Sequence, residues 1–185
     1  MRIEREIEIT PTSVILDGKP IATTETGDKM LVELYRRFAG DYPKFFKMDT
    51  LCRLGFIAAE ILLKDKTDKC EKEQMSIILA NRSASIKNDT DYLATISEGN
   101  YYPSPSLFVY TLPNIVTGEI AIRHHIQGET SFYILESPEQ LEPIIKSYFS
   151  SPLKGGPRGA LTGWCECSKP NDFYAKMQII YGTTD

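Results

Sequence analysis

The chain is short of basic excess, of long apolar runs, of histidine and of regularly spaced cysteine, and each shortage excludes a class of protein. Its 185 residues carry 21 Lys and Arg against 25 Asp and Glu, a formal charge of -4. That balance does not supply the concentrated basic surface that nucleic-acid phosphates require. No apolar stretch approaches the roughly 20 residues of a membrane span. The N-terminal "MRIEREIEIT" alternates charge with Ile where a signal peptide would be continuously apolar. The chain is therefore expected in the cytoplasm, where Cys52, Cys70, Cys165 and Cys167 stay as thiols. "CEC" at 165–167 and "HH" at 124–125 make a poor zinc site, since paired zinc cysteines normally lie two to four residues apart. No metal and no cofactor is expected.

What is present is ordinary for a globular protein: 42% hydrophobic and 25% charged residues, in a length that suits one domain over 1–185. "IEREIEI" has period two and "SVILDGKPI" carries an Asp17-Gly18 turn, so the two read as a hairpin of edge strands. "DKMLVELYRRF" places Met30, Leu31, Leu34, Tyr35 and Phe38 at helical spacing. "DTLCRLGFIAAEILLKD" predicts a second helix, capped by Asp49 and striped by Leu51, Leu54, Ala58, Ile61 and Leu62, with Lys64 at its carbonyl end. After the charged connector "KTDKCEKEQ", "MSIILAN" reads as a strand covered on both faces.

"NDTDYLATISEG" predicts a capped helical turn and "YYPSPSLF" a proline-stiffened loop. In "LPNIVTGEIAIRHHIQG" the expected helix buries Ile115, Gly118, Ile122 and Ile126, with Pro113 in its first turn and Gly128 just past its end. "TSFYIL" reads as a second buried strand and "PEQLEPIIKSYFSS" as a helix with Leu141, Ile144, Ile145, Tyr148 and Phe149 inward. A turn at "KGGPRG" then separates the strands "ALTGWCECS" and "AKMQIIY". This alternation predicts an α/β fold with a mixed, roughly five-stranded sheet and helices packed on it.

Three stretches, "KMDTLCRLGFIAAEILL", "PSPSLFVYTLPNIVTGEIAIRHHIQGETSFYI" and "ALTGWCE", resemble the β-ketoacyl synthases of the thiolase-like superfamily. The most specific piece is the helix motif at Pro113, Asn114, Gly118, Ile120, Ala121, Ile122 and Arg123. The likeness runs over about residues 43 to 168 and matches the N-terminal half of a synthase, which implies a thiolase-like half domain. In that family the strand after the glycine turn delivers a catalytic Cys to the tip of a helix, where the helix N-terminus lowers the thiol pKa. Counting from Gly128, the family's nucleophile position falls at Ser137, within about one residue. The family's two catalytic histidines belong to its C-terminal half, and His124 and His125 do not occupy their places. The resemblance thus implies a ketosynthase-like protein without the Cys-His-His set. Such a protein would be an accessory in fatty-acid or polyketide assembly, partnered by an acyl carrier protein or a condensing enzyme, with a homodimer open.

Ser137 has two readings. "SPEQ" fits a capping box with Pro at the first helical position and Gln140 three residues after the serine, which favours a helix cap. The other reading is a nucleophile for a residual acyltransferase or thioesterase, which would need a base such as Glu136 or a helix-end histidine. Glu136 also suits the helix dipole, and His124 and His125 suit the carbonyl end of theirs. Cys165 reads as a strand thiol or a nucleophile, and Arg36, Arg37, Lys44 and Lys47 as a solvated face or a dock for an acidic carrier protein. Finally, Glu139, Gln140, Glu142 and Lys146 give the helix at 138–150 a polar side, so one covering layer suffices for it.

Overall fold

The computed structural model describes residues 1–64, 75–99, 102–150 and 159–182. One mixed sheet organises them. Its strands are β1 (Arg2–Thr10), β2 (Ser13–Leu16), β3 (Lys19–Pro20), β4 (Met75–Asn81), β5 (Thr130–Ile134), β6 (Gly159–Lys169) and β7 (Asp172–Tyr181). They lie in the order β3-β2-β1-β7-β6-β4-β5. β4 runs parallel to both β5 and β6, whereas β6–β7, β7–β1 and β1–β2 pair antiparallel.

The sheet therefore has seven strands, not about five. Of the N-terminal hairpin, expected to be edge strands, β2 and β3 do lie at one edge, but β1 pairs with β7 from Arg2 to Ile9 and is an interior strand. Ile7 and Ile9 are fully buried, and their burial fixes that register. β5, expected to be buried, is instead the opposite edge, with Ile134 51% exposed. A short apolar run does not reveal whether it has one neighbour or two.

The helices are α1 (Gly27–Phe38), α2 (Thr50–Leu63), α3 (Ile86–Leu93), α4 (Pro105–Val109), α5 (Ile115–His124) and α6 (Leu141–Phe149). β4 is buried along its whole length and sends alternate residues into two cores. Ile77 and Leu79 join α1, α2 and α5, while Ile78 and Ala80 join Leu141 and Ile145 of α6 with Trp164 and Ile180. The β4-to-β5 connection thus covers one face and the β5-to-β6 connection the other, as right-handed crossovers stepping in opposite directions require.

α2 is the central helix. Asp49 caps it by accepting the Cys52 N–H at 2.9 Å. It is buried on every side except at Arg53, so the predicted stripe is only one of its contacts. Gly55 lets α5 approach, since a β-carbon there would stand 2.4 Å from Val116.

α5 buries only part of the expected face. Ile126 is buried and Ile115 packs on the core as expected, but the helix also buries Val116, Thr117, Glu119 and Ile120, whereas Ile122 is 63% exposed and Gly118 faces open space. Glu119 turns inward to Lys44 and Tyr42, and Arg123 reaches Glu60 of α2, polar contacts that a hydrophobic stripe cannot reveal. Pro113 lies just before the Asn114 cap, and the helix ends on His125 in the left-handed region (φ 55°) without using Gly128. Gly128 has a different role, because a β-carbon there would lie 2.0 Å from the Met75 carbonyl oxygen. The "PSPSLF" segment, expected to be a loop, forms α4, with Ser104 accepting from the Leu107 N–H and Pro105 at its start. The connector at 66–74, Cys70 and most of the "KGGPRG" turn lie outside the described residues.

Candidate site at the carboxyl ends of the parallel strands

β4, β5 and β6 point their carboxyl ends the same way, and the chain leaves β4 on one face and β5 on the other. Such a switch point is where open α/β sheets generally offer a crevice. Ser137 lies here, three residues past β5, after the Leu135 N–H has extended the pairing to the Asn81 carbonyl at 2.8 Å. Pro138 opens a single 3-10 turn over Pro138–Gln140 that leads into α6. Gln140 Oε1 accepts from the Glu136 N–H at 2.8 Å and the Ser137 N–H at 3.4 Å, closing its half of a capping box. The Ser137 hydroxyl bonds the Glu139 carboxylate, and that bond is the main cause holding the Glu139 carboxyl below its usual range.

The neighbours are charged but already engaged. Glu136 is 81% exposed and pairs with Arg82 at 3.4 Å. The Arg82 N–H donates to Glu166 Oε2 at 2.8 Å, while Glu166 Oε1 is buried without a hydrogen-bond partner. A groove of about 420 Å³ opens beside Pro138, walled by Leu141, Ile145, Trp164 and Ile180 with Lys176 and Gln178 at its polar side. α6 keeps its polar side in solvent, where Glu142 and Lys146 pair at 2.6 Å.

Neither histidine reaches Ser137. α5 ends at the start of β5 and Ser137 follows its end, so strand geometry separates them by on the order of 20 Å. His124 Nε2 instead lies 3.0 Å from Glu60 Oε1, close enough to pair but not aligned for a hydrogen bond. His125 is exposed at the helix end. Cys165 is fully buried on β6 with its Sγ 3.8 Å from the Leu51 carbonyl. Burial pushes its thiol, and that of Cys52, well above the usual range, and lifts Cys167 to about 12. These are core thiols held protonated, without the cationic surroundings of a reactive cysteine. Among the described residues no three His, Cys, Asp or Glu side chains converge as metal ligands would.

The basic cluster is dispersed by its partners. Lys44 pairs with the buried Glu119, and that bond raises its pKa. Arg37 donates to the Ala22 carbonyl at 3.1 Å. Arg36 and Lys47 stay exposed.

Sequence reasoning missed the polar lock between α2 and α5. Burial pushes the Glu60 carboxyl upward, but His124 and Arg123 outweigh it and leave the pKa lowered. Arg123 Nε donates to Glu60 Oε1 at 2.8 Å and Nη2 to Asp41 Oδ1 at 2.5 Å, which raises the guanidinium pKa. Glu119 accepts from the Tyr42 hydroxyl at 3.1 Å. The overlooked signal was Glu60 itself, one charge inside the apolar "GFIAAEILL", which has to find a partner.

No family model matches the chain, and neither does any curated protein. Solved structures do. The ketosynthase ApeO in complex with its chain length factor ApeC from Xenorhabdus doucetiae matches with a TM-score of 0.62 at 13% identity, over 99% of this chain and 79% of that one. The ishigamide ketosynthase/chain length factor matches at 0.66 and 15%, over 97% of this chain and 61% of that one. A type II polyketide synthase acyl-carrier protein in complex with its ketosynthase, bound to the hexaketide, gives 0.62 and 13%, over 97% and 61%. The fold is ketosynthase-like across nearly the whole chain, beyond the 43–168 of the sequence resemblance. The chain spans 61% of the length of two of these structures.

Proposed function

We propose that this protein is a ketosynthase-like accessory, one folding unit without its own Cys-His-His set, that works beside a condensing enzyme and an acyl carrier protein in polyketide- or fatty-acid-type assembly. Ser137 carries the reading. At the turn where the resembling family mounts its thiol, this chain has a serine in a capping turn, bonded to Glu139, with both of its histidines at the other end of the strand. A hydroxyl whose carboxylate partner is held below its usual pKa is weakly activated, and neither histidine stands beside it to act as a base. The association of similar folds with chain length factors and a carrier protein supports the choice of partners. Fold alone does not confer function, so the test is chemical.

The protein is incubated with acyl thioesters, followed by intact mass, and then mixed with a condensing enzyme and carrier protein of type II assembly. The expected result is no acyl adduct and a co-eluting complex. An adduct lost in Ser137→Ala would overturn the accessory reading and establish an acyltransferase or thioesterase acting through Ser137. Failure to bind either partner would overturn the reading as well.

A further inference from the structure

The groove between α6 and the sheet holds more than the Ser137 turn needs. Its apolar walls include Trp164, the single tryptophan of the chain, together with Tyr174, Leu141 and Ile145. At about 420 Å³ it falls in the size range of small-molecule sites. Its floor on β7 is polar. Lys176 and Gln178 stand two residues apart on one strand face, which sets their α-carbons about 7 Å apart.

This floor has bonds to offer. Gln178 Oε1 is buried with no hydrogen-bond partner among the described residues, and so is the hydroxyl of the fully buried Thr162. The two residues face each other across β6 and β7, yet neither holds the other. Buried polar groups without partners are rare in folded proteins. Two of them adjoin this groove, and a hydrogen-bond donor entering it would satisfy the Gln178 oxygen. Charge at the groove is unequally engaged. Glu142 is taken by Lys146 at 2.6 Å, whereas Lys176 stands 3.7 Å from Glu6 with both side chains half exposed, a spacing that holds the ammonium weakly. The available charge is therefore positive. A flat ring suits a cleft that has Trp164 and Tyr174 on the sheet and an aliphatic wall on α6. We propose that this groove binds a small aromatic monocarboxylate with a hydroxyl across the ring, its carboxylate on Lys176, its ring against Trp164 and Leu141, and its hydroxyl donating to Gln178. The inference does not rest on the accessory function proposed above, because it concerns binding by the protein alone.

Calorimetric titration with 6-hydroxy-2-naphthoate tests it, with 2-naphthoate, 2-naphthol and decanoate for comparison. The hydroxynaphthoate is expected to bind saturably, to quench the emission of Trp164, and to bind tighter than the other three. Lys176→Met should raise its dissociation constant ~10-fold and abolish its advantage over 2-naphthol. Gln178→Leu should raise it ~5-fold and abolish the advantage over 2-naphthoate. Lys29→Met, at an exposed position on α1, should leave both unchanged. Absence of saturable binding, heat without quenching of Trp164, constants indifferent to both groove substitutions, or tighter binding of decanoate would overturn the proposal.

Discussion

Arg123 Nε donates to Glu60 Oε1 at 2.8 Å, tying the last turn of α5 to the buried middle of α2. The Glu60 side chain is 6% exposed, so its charge relies on this pairing together with His124, 3.0 Å from the same oxygen. Removing one member of such a pair costs more than the pair contributes, because a buried charge is left with His124 as its remaining partner. Arg123→Leu should destabilise by about 2–4 kcal/mol in urea unfolding, and Glu60→Leu on the same background should recover part of the loss. Additive losses would show that the two residues are not coupled.

Two glycines should respond in opposite directions. Gly128→Ala drives a β-carbon against the Met75 carbonyl oxygen at 2.0 Å, a backbone atom that cannot swing aside. A loss of roughly 1–3 kcal/mol, or failure to fold, is expected. Gly118→Ala meets nothing within 4 Å inside α5 and should gain roughly 0.5–1 kcal/mol. Thermal melts of the two variants give the comparison.

Burial pushes Asp49 up to about 6, against the Cys52 N–H bond, which lowers it. Between its unfolded value near 4 and this folded value, the native state binds more protons than the unfolded state. Stability contributed by this group is therefore present below pH 4 and lost as pH rises through 6, on the order of 3 kcal/mol. Asp49→Asn keeps a good cap and removes the titration. The wild type minus variant difference in unfolding free energy should fall between pH 4 and 6. A flat difference would place Asp49 in water.

Burial raises the thiols of Cys52, Cys165 and Cys167, so thiolate is scarce and access is blocked. At pH 8 none of the three should react with iodoacetamide in the native protein, and all three should react in denaturant, as peptide mapping would show. Native labelling of Cys165 would return it to the list of nucleophiles.

Local patterning predicts the cap at Asp49, the inward residues of α1, the fully buried β4 and the turn at Ser137, because caps, periodicity and turn chemistry act within a few residues. The ketosynthase-like fold was also legible, from the motif around Asn114 to Arg123. The face that α5 buries was legible only at Ile115 and Ile126. Its stripe of Ile115, Gly118, Ile122 and Ile126 is plausible by spacing, yet Glu119 turns inward to Lys44 and Tyr42, residues far away in the chain. Long-range pairing likewise decided that β1 is interior and β5 an edge, and it placed His124 with Glu60 at the opposite end of the strand from Ser137. By itself the sequence determined most of the helices and strands, α4 excepted, and that position 137 holds a hydroxyl with a capping partner. Only the tertiary structure decided which charges are buried together and how far each histidine lies from that hydroxyl, since both depend on contacts between segments that no local pattern encodes.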